Sequence, residues 1–189
     1  MVGIIEETAK LITVIFFCRT IKPKYILNGL LIGAAVGAGF AAFESAGYAL
    51  NYLLEFGYDT MMDVIFLRAV LAPGGHVVWA AMSGYAMMIA KDDGPLESNV
   101  FVKNSFLKIF LVPVIMHAIW DMPLIVTVDF PIIQVLLCII SWIFIFVMIN
   151  NGLSLLADQI KKNETKLDPP QPQPPKTTQT MLDPAADLM

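Results

Sequence analysis

Charged residues are scarce in this chain. Only 15% of its 189 residues are Asp, Glu, Lys or Arg, whereas 57% are hydrophobic. A globular domain of this composition would expose too much apolar surface to water, which excludes the soluble class. The charges that remain form no basic stripe, so nothing indicates a nucleic-acid partner. The chain therefore belongs in a lipid bilayer.

Cysteine is rare too, and a basic N-terminal region is missing. Cys18 and Cys138 fall within apolar runs, so the sequence shows neither a disulfide framework nor a cysteine metal-ligand spacing. Glu6, Glu7 and Lys10 interrupt the stretch where the apolar core of a signal peptide would lie. We therefore expect the first apolar segment to remain in the mature protein.

Long apolar runs are what the sequence has in abundance. Roughly 18 apolar residues in a helix are enough to cross a bilayer. Continuous runs, rather than alternation of apolar and polar residues, favour helices over a β-barrel. The sequence predicts an all-α, polytopic membrane helix bundle with about five transmembrane helices, near residues 3–18, 25–50, 64–90, 106–128 and 131–156.

The lysines and arginines predict the orientation of this bundle. They follow the first span, separate the third from the fourth, and follow the fifth; the other two loops hold none, apart from Arg68 just inside the third span. Because cytoplasmic loops are enriched in Lys and Arg, we predict an N-out, C-in topology. The cations are Arg19, Lys22, Lys24, Lys91, Lys103, Lys108, Lys161, Lys162 and Lys166.

The composition changes at the end of the last span. Residues 1–160 form the predicted bundle, whereas residues 161–189 are rich in proline, glutamine and threonine and nearly free of large aliphatic residues. Such a segment buries too little apolar surface to fold. We predict a disordered cytosolic tail.

Several ionisable residues lie inside the predicted spans. A charged group within a span is costly to insert, by about 2.5–3.5 kcal/mol, so each needs a partner and is interpreted as functional unless it only pairs structurally. Counted from the outer ends of the spans, most of them lie in one layer in the outer half of the membrane, contributed by four helices. They are Glu6, Glu7, Lys10, Glu44, Arg68, His76, His117 and Asp121.

Spacing along the helices suggests partners for some of these groups. Glu6 and Lys10 are four residues apart and share a helix face, and Glu7 can reach Lys10 from three residues away. His117 and Asp121 repeat the four-residue spacing, so Asp121 is expected to accept a hydrogen bond from the imidazole and select its tautomer. Arg68 is interpreted as structural, extending toward the outer headgroups.

Two backbone features let the polar layer converge. Gly29, Gly33 and Gly37 form a small-residue stripe for close helix packing, which turns Glu44 toward protein. Pro73, Gly74 and Gly75 directly precede His76, and they weaken the helix there. Pro113 and Pro123 bracket the stretch that holds His117 and Asp121. Irregular backbone beside ionisable groups predicts a water-accessible pocket.

The order of these motifs resembles a known family. EExxK at Glu6, Glu7 and Lys10, FxxxE at Phe40 and Glu44, an isolated histidine at His76, and HxxxD at His117 and Asp121 occur one per successive span. This arrangement resembles the PrsW intramembrane proteases, relatives of the CAAX prenyl proteases and bacteriocin-processing enzymes. Members of the family usually carry additional spans before the EExxK helix, so we expect a less complete outer rim here.

The resemblance implies an integral membrane protein of a prokaryotic cell that cleaves a single-pass membrane protein, such as an anti-sigma-factor-like regulator. Glu6 or Glu7 would act as the general base on water, with Lys10 orienting the carboxylate. His117, held by Asp121, would stabilise the oxyanion or protonate the leaving amine. His76 and Glu44 would help to hold the water.

A cofactor is not required by this chemistry, and a metal-independent glutamate mechanism is favoured. The alternative is a divalent metal such as zinc, held by His76, His117 and Glu44, because two histidines and a carboxylate form a common zinc site. Two other functions stay open. Intramembrane Glu, His and Asp can relay protons in a small proton-coupled transporter, and the glycine stripe would also suit a catalytically inactive membrane interaction protein.

Overall fold

A computed structural model describes residues 2–92, 94–122 and 132–167. Within these residues the chain forms six α-helices and no strand, so the all-α prediction is confirmed. Short 3₁₀ turns occur at Ala72–Gly74 and Ser98–Val102. The helices are α1 (Val2–Ile21), α2 (Ile26–Phe56), α3 (Tyr58–Leu71), α4 (His76–Lys91), α5 (Asn104–Trp120) and α6 (Ile132–Leu167).

In the part of the chain that the structure describes, three helical stretches are long and apolar enough to cross a membrane by themselves: Ile26–Phe56, Tyr58–Lys91 and Ile132–Glu164. They support an integral membrane protein. The other two predicted spans correspond to α1, which has 20 residues but carries three charges near its middle, and to α5, an apolar helix of 17 residues. The direction of the bundle across the membrane stays a prediction.

The glycine stripe lies where α2 packs against α4. A Cβ atom at Gly33 would overlap the carbonyl oxygen of Ala80, and one at Gly37 would overlap that of His76. Gly29 meets Gly84 of α4 in the same way. Close contact between two helix backbones is possible only without side chains at these positions. The predicted packing stripe is confirmed, and it places α2 directly beside the helix that carries His76.

The Gly33→Ala variant is expected to lose about 1–3 kcal/mol of stability, because its methyl group would be forced into the α4 backbone. Gly39→Ala is the matched control on the same helix, since nothing lies within 4 Å of a Cβ atom there. That substitution should be neutral or stabilising by up to about 1 kcal/mol. Unfolding in detergent measures both, and equal stabilities would contradict the close packing.

The third predicted span is broken where its proline and glycines lie. The 3₁₀ turn at Ala72–Gly74 separates α3 from α4, and His76 is the first residue of α4. Gly74 packs against α6, where a Cβ atom would lie 2.7 Å from the Cβ of Cys138. The expected weakening of the helix is therefore confirmed, and it presents His76 at a helix start in the bundle interior.

Two predicted boundaries differ from the structure. α5 ends at Trp120, with Asp121 as its C-terminal cap, whereas the fourth span was predicted to continue to residue 128. α6 continues to Leu167, past the predicted boundary at residue 160. The interpretation of Pro123, and the disordered tail over residues 168–189, lie outside the described residues.

Candidate active site

The polar residues of the first helix enter the bundle because α1 approaches α5 closely. At Gly3 an added Cβ atom would lie 2.9 Å from the backbone nitrogen of Ala118, directly after His117. The close approach brings the next turn of α1 against the last turn of α5. Glu7 and Lys10 are consequently buried, with 0% and 1% of their surfaces exposed.

Glu7 is the centre of the buried network. Its Oε1 atom lies 2.7 Å from the Lys10 Nζ and 2.7 Å from the His117 Nδ1. A carboxylate only accepts hydrogen bonds, so Nδ1 of His117 carries a proton and donates to Glu7. In a neutral imidazole this leaves the lone pair on Nε2. The contact with Glu7 therefore fixes the tautomer of His117, and the unprotonated Nε2 atom faces Glu6.

Lys10 connects Glu7 to the second histidine. Its Nζ atom lies 2.9 Å from Nδ1 of His76 and 4.3 Å from the centre of the Phe40 ring. An ammonium group only donates, so Nδ1 of His76 accepts and Nε2 carries the proton. That nitrogen lies 2.9 Å from Oε2 of Glu44, to which it donates. The chain of contacts therefore runs from α1 through α4 to α2.

Arg68 is part of this network, and the expectation that it extends toward the headgroups is wrong. Its Nη2 atom donates to Oε2 of Glu44 at 2.6 Å, and its Nε atom donates to Ser45 at 2.9 Å. The guanidinium also lies 4.4 Å from the centre of the Tyr48 ring. A planar guanidinium held at three points fixes the carboxylate it contacts. Arg68 thus holds Glu44 beside His76.

Glu6 lies at the more accessible side of the network. Its side chain is 21% exposed, and its Oε2 atom is buried without a hydrogen-bond partner, 3.3 Å from Nε2 of His117. In the neutral tautomer of His117 both atoms are acceptors, so a donor or a cation is needed between them. Glu6 does not pair with Lys10, since Glu7 takes that contact.

Asp121 does not have the role expected from its spacing. Its Oδ2 atom is 3.6 Å from Nε2 of His117, too far for a hydrogen bond, and the side chain is 32% exposed. Asp121 caps α5, and its backbone N–H still bonds to the carbonyl of His117, so the four-residue spacing alone does not bring the two side chains into hydrogen-bond contact. Glu7, which comes from another helix, selects the histidine tautomer instead.

The charges of the site are unbalanced. Four carboxylates, Glu6, Glu7, Glu44 and Asp121, surround the cations Lys10 and Arg68. With neutral histidines the group carries two excess negative charges in a largely buried setting, which is costly unless compensated. A divalent cation, or two protons on the imidazoles, would balance them.

Within the described part of the chain, one group of side chains offers three metal ligands close together. One ligand atom each from Glu6, His76 and His117 lies within 4.8 Å of the others. Glu44, the carboxylate expected in this set, contacts His76 and Arg68 instead. A carboxylate and two histidines are a ligand set of catalytic zinc sites, and the bond from His117 to Glu7 is the outer contact such histidines make.

The structure brings all seven candidate residues into one cluster joined by contacts of 2.7–3.6 Å. Their catalytic roles stay predictions. Arg68 is the functional candidate that the sequence interpretation missed. The sequence did contain a signal for this contact: Arg68 lies inside a predicted span, at a depth similar to that of Glu44 on the preceding helix. The candidates are Glu6, Glu7, Lys10, Glu44, His76, His117 and Asp121.

Comparison with known proteins identifies the class to which this bundle and site belong. The sequence model of the PrsW family of intramembrane metalloproteases matches residues 1–149, and the chain belongs to that family. The resemblance inferred from the motifs is thus confirmed.

Two proteins named Protease PrsW are similar to the chain. The one from Halalkalibacterium halodurans is 28% identical over 120 residues, which cover 63% of this chain and 50% of that protein. The one from Clostridioides difficile is 26% identical over 141 residues, which cover 73% of this chain and 56% of that protein. The chain thus spans about half the length of these relatives. No solved structure matches it significantly.

Proposed function

We propose that this protein is an intramembrane peptidase that hydrolyses a peptide bond in a membrane-anchored protein. A single-pass regulator of the anti-sigma-factor type is the proposed substrate class. The observation that carries the proposal is the pair of facing acceptors, Oε2 of Glu6 and Nε2 of His117, 3.3 Å apart at the accessible side of a buried polar network. A water molecule can donate one hydrogen to each of them.

The two glutamates have different roles in this proposal. Glu6 is the more exposed of the two and its Oε2 atom faces Nε2 of His117, so it takes the proton from water as the water oxygen attacks the carbonyl carbon of the scissile bond, and later delivers it to the leaving nitrogen. Glu7 keeps Nδ1 of His117 protonated, so that Nε2 orients the water rather than donating. We assign stabilisation of the developing oxyanion to the Nε2 proton of His76, which must leave its contact with Glu44 to reach the substrate.

A divalent metal fits the ligands Glu6, His76 and His117 if one hydrogen bond changes. Lys10 donates to Nδ1 of His76, which puts the proton on Nε2, the nitrogen that faces Glu44. For His76 to act as a ligand through Nε2, Lys10 must release Nδ1 and keep only its contact with Glu7. Glu6 and His117 already present free acceptors. A metal held by these three residues would supply Lewis-acid stabilisation of negative charge at the scissile carbonyl.

Metal analysis of the purified protein separates the two forms of this chemistry. If Glu6, His76 and His117 hold a divalent metal, we expect about one equivalent of bound zinc per chain, lost in the His117→Ala variant. The bound metal should also raise the melting temperature, and a chelator should lower it. Full activity of protein with no bound metal would instead establish the metal-independent mechanism.

Cleavage of a library of single-pass membrane substrates tests the proposed function. The full chain in detergent is incubated with the library, and products are identified by mass spectrometry. Specific products that disappear in the Glu6→Gln and His117→Ala variants would support the proposal. Products that persist in both variants would come from a contaminating protease, and a folded wild-type protein that yields no products would overturn it.

Arg68→Gln is expected to lower the cleavage rate by about tenfold to a hundredfold, because Glu44 would lose the charged donor that holds it against His76. Arg68→Lys keeps the charge but not both hydrogen bonds, so its activity should be intermediate. Cleavage rates over a range of pH would show an altered profile for a positioning residue. Lys108→Gln on α5 is the control, and an equal effect there would contradict this role.

A proton relay is the second candidate function. The continuous contacts from Glu7 through Lys10 and His76 to Glu44 favour it, because ionisable groups in such a chain can exchange protons. Proteoliposomes with a pH-sensitive dye inside distinguish the two functions. Proton uptake that depends on Lys10 and His76, without peptide cleavage, would support the relay.

A further inference from the structure

A second group of charged residues lies at the opposite end of the bundle from the candidate active site. α1 ends at Ile21, α4 ends at Lys91, and the loop after α4 leads back toward α5. A cavity of about 470 Å³ opens between these segments. Its lining residues are Cys18, Arg19, Lys22, Pro23, Met88, Lys91, Gly94, Pro95 and Leu96.

The cavity is lined by three cations and no carboxylate among the described residues. None of Arg19, Lys22 and Lys91 has a carboxylate oxygen within 4.0 Å in the described part of the chain. Lys22 has a positive φ of 53°, so the chain turns sharply after α1 and brings a second cation beside Arg19. Converging cations without counter-charges form a site for an anion.

A neighbouring cavity shows that this charge pattern is not shared by the whole end of the bundle. The second cavity has a similar volume, about 480 Å³, and lies where the start of α2, the end of α4 and α6 meet. Its cations, Lys24 and Lys162, are accompanied by two acids, Asp92 and Asp158. The same end of the protein therefore carries one cationic cavity and one cavity of balanced charge.

We propose that the cationic cavity binds the phosphate headgroup of an anionic phospholipid. Lys91 ends Tyr58–Lys91, a stretch long and apolar enough to cross a membrane, and Arg19 and Lys22 lie at the end of α1 beside it. A bilayer presents lipid phosphates at the ends of spanning helices. Met88, Pro95 and Leu96 supply apolar walls on which the glycerol and upper acyl chain can pack. A headgroup with a net negative charge complements the three cations, whereas a zwitterionic headgroup brings its own cation.

Lipid titration of the full chain in a neutral detergent tests this proposal. Dioctanoyl phosphatidylglycerol and dioctanoyl phosphatidylcholine are added separately, and bound lipid is counted by native mass spectrometry. We expect one phosphatidylglycerol molecule to bind at least about tenfold more tightly than phosphatidylcholine. Equal binding of the two lipids would overturn the proposal.

Charge variants locate the site. The triple variant Arg19→Gln, Lys22→Gln and Lys91→Gln should lower the phosphatidylglycerol affinity at least about twentyfold, since each cation near anionic lipid contributes about fivefold. The control Lys24→Gln, Lys108→Gln and Lys162→Gln removes the same number of charges elsewhere and should change it less than about threefold. An equal loss in both variants would show general electrostatic attraction and overturn the assignment.

Two further measurements keep the test decisive. If the triple variant fails to fold, Lys91→Gln alone should still cost about fivefold and Lys91→Arg should restore binding. Glycerol phosphate, which carries the phosphate but no acyl chain, should displace the lipid only at much higher concentration. Displacement at equal concentration would mean that the cavity binds a soluble phosphate, contrary to the proposal.

Discussion

The Glu6→Gln variant is expected to cleave substrate about 10²–10⁴-fold more slowly than the unchanged protein, which is the usual contribution of a positioned general base. The amide is the same size as the carboxylate but cannot take a proton from water. Glu6 is at the accessible side of the site, and its Oε2 atom has no hydrogen-bond partner, so the substitution breaks no buried bond. Cleavage rates at saturating substrate measure the effect.

The stability of this variant should be almost unchanged, and that separates loss of chemistry from loss of fold. Glu55→Gln, at an exposed position of α2, is the matched control and should keep full activity. Glu7→Gln should lose both activity and stability, because its carboxylate holds Lys10 and His117. If Glu6→Gln kept its activity while a folded Glu7→Gln protein lost it, the assigned roles of the two glutamates would be reversed.

The Lys10→Met variant is expected to lose about 3–5 kcal/mol of stability, the usual cost of removing one partner from a buried ion pair. Methionine fills a similar volume but leaves Glu7 without its cation, and Glu7 is fully buried. Unfolding free energy in mixed detergent measures the effect. The exposed Lys108→Met on α5 is the control, and its stability should change by less than about 0.5 kcal/mol.

A double variant tests the reason for that loss. Glu7→Gln combined with Lys10→Met removes both charges. Much of the stability should then return, because no charge is left buried without a partner. Cleavage should stay absent, since His117 would lose the carboxylate that selects its tautomer. If the double variant is as unstable as the sum of the two single variants, the charges do not interact as the structure indicates.

The helices, and the gathering of the polar residues at one level of the bundle, could be predicted because both follow from positions along the sequence. Apolar runs mark spans through their transfer free energy, whatever their neighbours are. The break before His76 was also predictable, because proline and glycine act on their own stretch of backbone. The motifs then identified the family, which the match over residues 1–149 confirms.

The pairings inside the site were less predictable, because spacing along one helix indicates which side chains share a face and not what faces them. His117 and Asp121 have the spacing of a pair, yet Glu7 of another helix takes the contact. The position of Arg68 along its helix is compatible both with a side chain that extends to the headgroups and with one that turns inward. Its turn toward Glu44 depends on how α3 returns along α2.

The sequence by itself determined that this is a helical membrane protein with acids and imidazoles gathered at one depth, since hydropathy and residue order are sufficient for both. Only the tertiary structure decided which oxygen faces which nitrogen. Those contacts depend on distances between helices. Gly3, Gly33 and Gly37 set these distances, because a side chain at any of them would push the neighbouring helix away. A difference of one ångström there separates a hydrogen bond from none, and no pattern along the chain carries that information.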